Sequence, residues 1–196
     1  LPRAEQEIIE RQNMYDGTWS RTQSMGWMFV PLSQYHGGGA AATIEPLREH
    51  LPHYEARFAN LLGYGVQACY RGPRLYDSEE TKAVVKKWVS FYKQHRDVLD
   101  NGDIIHLRRP NGRDWDGILH ANPQGKEKGM ACLYNPLNEE ITRTIRLPLH
   151  YTGLTGTAQV SVNGEAAKPM KLDATNTLEL SVRIAAQSRT FVILTK

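Results

Sequence analysis

The spacing of apolar residues changes near residue 102, and this change constrains the fold more than any other feature of the sequence. Before it, apolar residues recur at the intervals of an amphipathic helix, with short continuous apolar runs between the helices. After it, short alternating segments are separated by turn signals. The sequence therefore predicts an α/β portion over residues 1–102 followed by an all-β portion over residues 103–196.

The first portion is predicted to alternate between helices and buried strands. Helices are expected over residues 5–14, from about Ile44 to 63, and from the N-cap Ser78 to the Asn101-Gly102 stop. The continuous apolar runs 27–32 and 66–70 are typical of strands covered on both faces. Finer expectations are a loop over 16–24, Pro46 in the first turn of the second helix, a slight kink at Pro52 and a cap at Gly63.

This alternation is typical of β/α units around a parallel sheet. Two strands do not make a stable parallel sheet alone, because each needs neighbours and cover on both faces. Part of the sheet is therefore expected to come from outside the sequence.

The second portion predicts about seven strands. They fall at residues 103–109, 115–121, 129–134, 141–147, 157–162, 177–184 and 189–195. Asn111-Gly112 and Asn163-Gly164 are hairpin turn signals. Short strands at this spacing favour an antiparallel sandwich.

The composition is that of a folded protein and excludes several classes. With 24 Lys and Arg against 21 Asp and Glu, the net charge is +3. The excess is scattered, so nucleic acid is not an expected partner. No apolar run approaches the ~18 residues of a membrane span, so no membrane partner is expected.

The two cysteines, Cys69 and Cys132, both fall in predicted strands. We expect buried free thiols, since a packed Cys behaves as a small hydrophobe. With no CxxC motif and no Cys/His cluster, no zinc site is predicted, and no cofactor or metal is expected.

The chain opens at Leu1-Pro2-Arg3-Ala4-Glu5, without an initiator Met or a signal segment. We therefore expect either that a leader has been removed or that the sequence is a piece of a longer protein.

Residues 87–99, Lys-Trp-Val-Ser-Phe-Tyr-Lys-Gln-His-Arg-Asp-Val-Leu, resemble the last barrel helix of glycoside hydrolases of the alpha-galactosidase-like superfamily. Residues 103–108 resemble the first strand of the sandwich that follows the barrel, and Tyr134-Asn135-Pro136 resembles the end of its third strand. The resemblance covers most of residues 65–196 and is only architectural nearer the N-terminus.

This resemblance implies that residues 1–102 are the last β/α units of a (β/α)8 (TIM) barrel and residues 103–196 an antiparallel β-sandwich domain. It implies a carbohydrate substrate, hydrolysis of the glycosidic bonds of oligo- or polysaccharides, and a secreted or periplasmic location. The family's retaining mechanism uses a nucleophile and an acid/base carboxylate on earlier barrel strands. No stretch here matches either motif, so the catalytic residues are expected upstream of Leu1 and the chain alone is expected to be inactive.

Candidate sugar-binding residues lie on two loops after the predicted strands, where a β/α barrel builds its active site. They are Tyr35, His36 and glycines 37–39 on the first loop, and Arg71, Arg74, Tyr76 and Asp77 on the second. Arg and His side chains can hydrogen-bond sugar hydroxyls, and a tyrosine can stack on a pyranose. The alternative is that Arg71, Arg74 and Asp77 form salt bridges locking the barrel rim to the sandwich.

Aromatic residues supply one further candidate. Trp19, in a polar stretch, is predicted as a sugar platform, whereas Trp27 opens an apolar run and is expected in the core. Asp114 and Asp116 flank Trp115 and are expected on a solvated edge or as partners of arginines 108 and 109 across the hairpin, with a calcium site as an alternative.

Two functional classes remain, the glycoside hydrolase fragment and a non-catalytic carbohydrate-binding or interaction module. Exposed aromatics along one face of the sandwich would favour the module. The unfinished sheet is expected to expose strand edges and apolar surface. We therefore expect self-association or packing against the upstream part of the parent chain, and stronger protection of residues 103–196 than of 1–102.

Overall fold

The computed structural model describes residues 3–20, 44–66 and 72–196. The chain divides into two compact units, Leu1–Arg96 and Asp97–Lys196. The predicted strand 27–32, most of the predicted strand 66–70, and Cys69 lie outside the described residues. The parallel sheet therefore stays a prediction, as does the domain assignment that depends on it.

The described part of the first unit contains three helices. They are α1 (Arg3–Ser20), α2 (Leu51–Gly63) and α3 (Glu79–Asp100), with a 3₁₀ turn at Leu47–Glu49 before α2. α3 continues four residues into the second unit. None of these helices combines the length and the apolar character that a membrane crossing requires.

α1 is longer than predicted, since it continues through the polar stretch that was expected to be a loop. The Thr18 hydroxyl donates to the Met14 carbonyl at 2.7 Å, so this side chain bonds within the helix instead of ending it. Met14, Gly17 and Thr18 are all buried. Burial of this turn overrides the weak helix propensity of its Gly and Thr residues.

α2 starts later than predicted, and Pro46 and Pro52 have different positions relative to the helix from those expected. Pro46 is extended, with φ −70° and ψ 132°, and precedes the 3₁₀ turn. Pro52 lies in the first turn of α2, where a missing N–H costs nothing, so it does not kink the helix. The left-handed residue after the helix is Gly65, at φ 68°, and not Gly63.

α3 begins as predicted. The backbone N–H of Thr81 donates to Ser78 Oγ at 3.1 Å, which makes Ser78 the N-cap. The helix runs for 22 residues and ends at Asp100, directly before Asn101-Gly102.

The second unit is an antiparallel sandwich of eight strands. They are β1 (Asp103–Arg108), β2 (Asp116–Ala121), β3 (Gly129–Tyr134), β4 (Ile141–Pro148), β5 (Thr157–Val162), β6 (Lys168–Lys171), β7 (Thr177–Ile184) and β8 (Arg189–Thr195). A six-stranded sheet has the order β1-β2-β3-β8-β5-β6, and β4 pairs with β7 in a second sheet. The sandwich prediction is confirmed, and seven of its strands were predicted.

β6 is the strand that the sequence did not predict. Its residues are largely exposed and show no apolar alternation. It lies at the edge of the larger sheet and contains Pro169, a residue that sheets tolerate chiefly at edges.

Side chains from both sheets form one hydrophobic core. Alternate residues of β4 and β7 face side chains of β2, β3, β5 and β8, among them Leu119, Leu133, Leu180 and Val192. β2 and β3 are buried on both faces. Cys132, in β3, is a buried free thiol as predicted, and burial raises its pKa.

The acids around Trp115 have different environments, which corrects one expectation. Asp114 is 30% exposed and pairs with Arg143 at 3.0 Å and with Arg108 at 4.0 Å. Asp116 is fully buried, so it does not lie on a solvated edge.

Asn135 joins three strand ends. Its Nδ2 donates to the carbonyls of Glu139, Ile184 and Ala185 at 2.8, 3.1 and 3.1 Å. Its Oδ1 accepts the backbone N–H of Leu137 at 2.9 Å. The side chain, 2% exposed, therefore connects the end of β3 to the start of β4 and the end of β7.

We predict that Asn135→Ala destabilises the sandwich by about 2–3 kcal/mol, because it leaves buried carbonyls without donors. Native-state hydrogen exchange of β3 and β7 amides would measure the loss. Asn138→Ala is the matched control, since Asn138 is exposed, and it should cost less than about 1 kcal/mol. Equal effects of both substitutions would contradict the role given to Asn135.

Candidate functional site

α1 and α2 lie side by side and run in the same direction. Glu7 Oε1 lies 2.6 Å from His53 Nδ1. One turn further along both helices, Arg57 Nη1 donates to Glu10 Oε1 at 2.5 Å, and Asn60 Nδ2 donates to Glu10 Oε2 at 3.3 Å. Contacting residues thus advance together along both helices, which makes the pair parallel.

α3 follows the same direction beside α2. Before α3, the Asp77 carboxylate accepts the backbone N–H of Arg48, in the turn before α2, at 3.0 Å. Further along, Glu55 Oε1 accepts from Trp88 Nε1 at 3.1 Å and from Lys87 Nζ at 2.5 Å. The three helices therefore begin at one end of the first unit, which we call the helix-start end.

The segment of residues 72–78 is held at the helix-start end by hydrogen bonds. The Tyr54 hydroxyl donates to the Leu75 carbonyl at 2.5 Å. Arg74 Nε lies 3.4 Å from Glu45 Oε1, on the segment that precedes α2. Asp77 also accepts from the Thr81 hydroxyl at 3.2 Å. These contacts fix the backbone of the loop on α2 and on the start of α3.

The loop nevertheless presents side chains to solvent. The Arg74 side chain is 56% exposed although it is paired with Glu45. Tyr76 is 48% exposed, and Lys82 Nζ lies 5.7 Å from the centre of its ring. A guanidinium and an aromatic ring are therefore available on one short, anchored loop.

The structure brings together some of the predicted sugar-binding residues. Arg74 and Asp77 share the loop at the helix-start end, and their partners there, Glu45 and the backbone of Arg48, lie in the first unit and not in the sandwich. Trp19 is 70% exposed but lies in the last turn of α1, at the opposite end of that helix. Tyr35, His36, Arg71 and glycines 37–39 lie outside the described residues.

A cleft at the helix-start end contains residues that the sequence did not single out. Its lining consists of Ile44 and six charged or polar residues, Arg3, Gln6, Glu7, Glu10, His53 and Arg57. Glu10 and Arg57 are 2% and 4% exposed. Burial raises the pKa of Glu10, while the Arg57 charge and the Asn60 hydrogen bond oppose this. Glu10 and Arg57 are 47 positions apart in the sequence, so they become partners only in the folded structure.

Comparison with known proteins gives matches among solved structures. No family model matches the sequence, and no curated protein matches it. A GH36 alpha-galactosidase from Geobacillus stearothermophilus, in complex with 1-deoxygalactonojirimycin, is 14% identical, with 73% of this chain and 19% of that chain covered and a TM-score of 0.48. A putative alpha-galactosidase from Bacteroides fragilis is 12% identical, with coverages of 74% and 28% and a TM-score of 0.45.

A trehalose-6-phosphate hydrolase from Bacillus licheniformis also matches, at 13% identity, coverages of 62% and 20% and a TM-score of 0.40. These neighbours are glycoside hydrolases. They include alpha-galactosidases, the kind of enzyme that the sequence resembles, at low identity. The chain spans about a fifth of the length of the GH36 structure from Geobacillus stearothermophilus.

We predict that Arg57→Met destabilises the first unit by about 3–5 kcal/mol at pH 7.5, because it leaves the Glu10 carboxylate buried without its partner. The pKa of Glu10 is already raised above 4.5, and losing Arg57 raises it further. A raised carboxyl pKa lowers stability as pH rises above the unfolded value, so the defect should shrink toward pH 4.5.

Urea unfolding followed by helical circular dichroism at pH 4.5 and 7.5 would measure both effects. The double variant Glu10→Met/Arg57→Met should recover most of the stability, since it leaves no unpaired charge. Lys82→Met, which breaks the exposed pair with Glu79, is the control and should cost less than about 1 kcal/mol. A defect that does not change with pH would contradict the burial of the Glu10 charge.

Proposed function

We propose that this chain is the C-terminal part of an alpha-galactosidase-like glycoside hydrolase that acts on the glycosidic bonds of oligo- or polysaccharides. In this proposal, the first unit supplies the last β/α units of a (β/α)8 barrel, and the second unit is the sandwich that follows it. The catalytic carboxylates lie in the parent protein before Leu1, and the substrate is a carbohydrate.

The common direction of the three helices carries the proposal. α1 ends at Ser20 and α2 begins at Leu51, so residues 21–50 have to return along the full length of a helix. α1, the helix along which they return, has 18 residues and is about 27 Å long. A strand of six residues, the length of the predicted strand 27–32, spans about 20 Å of that distance. Parallel helices joined by returning strands are the repeating unit of β/α folds.

The direct passage from α3 into the sandwich gives a second support. Only Asn101 and Gly102 separate the end of α3 from β1. α3 contains the segment 87–99, whose sequence resembles the last barrel helix of this family. The order of a helix and then an antiparallel sandwich is the one that the resemblance implies.

The helix-start end is where we place sugar contacts. Barrel active sites lie on the loops that lead from strands into helices, and those loops meet the helices at their starts. Arg74 is exposed on such a loop, and Asp77 holds the loop in place. Tyr35, His36 and Arg71 belong by sequence to the corresponding loops. Trp19, at the other end of α1, does not share this surface.

A non-catalytic carbohydrate-binding module is the second candidate, and exposed aromatics on the sandwich would have favoured it. Among residues 97–196, all of which are described, Tyr151 is the one exposed Phe, Tyr or Trp side chain. A single exposed ring does not form an aromatic platform, so the hydrolase fragment is the better account.

Hydrolysis of an aryl α-galactoside tests the proposal. We expect no turnover above the buffer rate from the 196-residue chain, and turnover from the product of the complete parent reading frame. In the parent, Arg74→Ala should raise KM or lower kcat/KM by about tenfold or more, the effect of losing a hydrogen bond from a charged donor.

Lys93→Ala is the matched control, since it removes an exposed positive charge from α3 away from the loop, and it should leave the kinetics unchanged. Turnover by the 196-residue chain itself would overturn the proposal. A parent reading frame without further β/α segments before Leu1 would overturn it as well.

A further inference from the structure

The end of the β1–β2 hairpin gathers arginines from separate parts of the sequence. Arg109 and Arg113 lie on the exposed connection between the strands. Arg143 comes from β4, in the other sheet, and its Nε donates to Asp114 Oδ1 at 3.0 Å. We call the set the hairpin-tip cluster. Its members are Arg108, Arg109, Arg113, Asp114, Trp115 and Arg143.

Arg108 is held in position while its donors stay unused. Its guanidinium lies over the Trp115 ring, 5.9 Å from the centre, and its Nη2 lies 4.0 Å from Asp114 Oδ2. In the part of the chain that the structure describes, no acceptor lies within hydrogen-bond distance of this guanidinium, and Nε is shielded from solvent. The Arg108 side chain is 39% exposed, so of its five N–H donors Nε–H is the one that is buried without an acceptor, and such buried donors are rare.

An irregularity in the β1 backbone precedes Arg108 and affects the direction of its side chain. The pairing of β1 with β2 shifts register between His106 and Arg108. Such bulges change the direction of a side chain and are common beside binding sites.

Asp114 offers a free acceptor next to these donors. Its Oδ1 accepts the backbone N–H of Trp115 at 2.8 Å and Arg143 Nε at 3.0 Å. Its Oδ2 accepts no hydrogen bond from any described residue. Partial burial works against the charge, but the hydrogen bonds from Trp115 and Arg143 hold the pKa of Asp114 below its ordinary value. The cluster therefore combines cationic donors with one ionised acceptor.

We propose that the hairpin-tip cluster binds a carboxylate-bearing polysaccharide. Arg108, together with the exposed Arg113 of the same hairpin, would pair with sugar carboxylates, because the guanidinium fork matches a carboxylate. Asp114 Oδ2 would accept a sugar hydroxyl. An acidic saccharide carries both groups in each repeat. A DNA phosphodiester has no hydroxyl to offer Asp114, and Arg108 covers the Trp115 face on which a base would stack.

This site is independent of the proposed hydrolase activity, since it lies wholly in the second unit and needs no catalytic group. Binding to the 196-residue chain therefore tests it separately from any turnover assay. If one of the two proposals is contradicted, the other is therefore unaffected.

Affinity electrophoresis of the 196-residue chain in gels containing polygalacturonate is the test, with galactomannan as a neutral polymer and dextran sulfate and double-stranded DNA as polyanions without carboxylates. We expect retardation by polygalacturonate that weakens as salt increases, and none by galactomannan. Arg108→Gln should weaken retardation about tenfold or more. Arg113→Gln, on the exposed connection, gives a second test that does not alter the Trp115 contact.

Lys168→Gln is the matched control, because it removes one positive charge from β6, at the opposite edge of the same sheet, and it should change retardation less than twofold. No retardation by polygalacturonate would overturn the proposal. Equal binding of dextran sulfate or DNA, or an equal loss in Lys168→Gln, would also overturn it, since either result would show binding to any polyanion through overall charge.

Discussion

The buried contact between Glu10 and Arg57 fixes the direction in which the first unit is built. Both side chains are almost fully buried, and Asn60 completes the hydrogen bonding of the carboxylate. Breaking such a pair would leave a charge in the interior, so the two helices cannot slide or reverse without a large loss of stability. Because the pair lies on corresponding turns of α1 and α2, it holds the helices parallel, and the connection between them has to return.

The position of the candidate sugar-binding loop follows from this constraint. With three helices starting at one end, the segments that lead into them are gathered there. Asp77 and Tyr54 then fix residues 72–78 on the neighbouring helix. The loop presents Arg74 and Tyr76 because its backbone is already bonded, which limits the entropy lost when a ligand binds.

The sequence predicted the sandwich well because its strands are specified locally. Alternation such as that of Leu178, Leu180 and Val182 follows from one buried face and one exposed face, and the structure confirms it. β6 has no buried face, so it gave no such signal. The end of α1 was predicted wrongly because burial of Gly17 and Thr18 depends on residues distant in the sequence.

The candidate sites were likewise predictable only where the signal is local in the sequence. Loop residues such as Arg74 could be named because their position after a predicted strand carries the signal. The partners of Glu10 and Arg143 could not, since each is supplied by an element at least 29 residues away. The sequence offered arginines 108 and 109 as partners for the acids across the hairpin, but it gave no indication that Arg143 of β4 also pairs with Asp114.

The pairing of the two predicted strands tests the central claim most directly, namely that the first unit is a series of β/α repeats. Nuclear Overhauser contacts between backbone protons of residues 27–32 and 66–70 would measure it in the isotope-labelled chain. The account predicts contacts that advance in the same direction along both segments, as parallel strands require. Contacts that advance in opposite directions, or no contacts between the two segments, would contradict it.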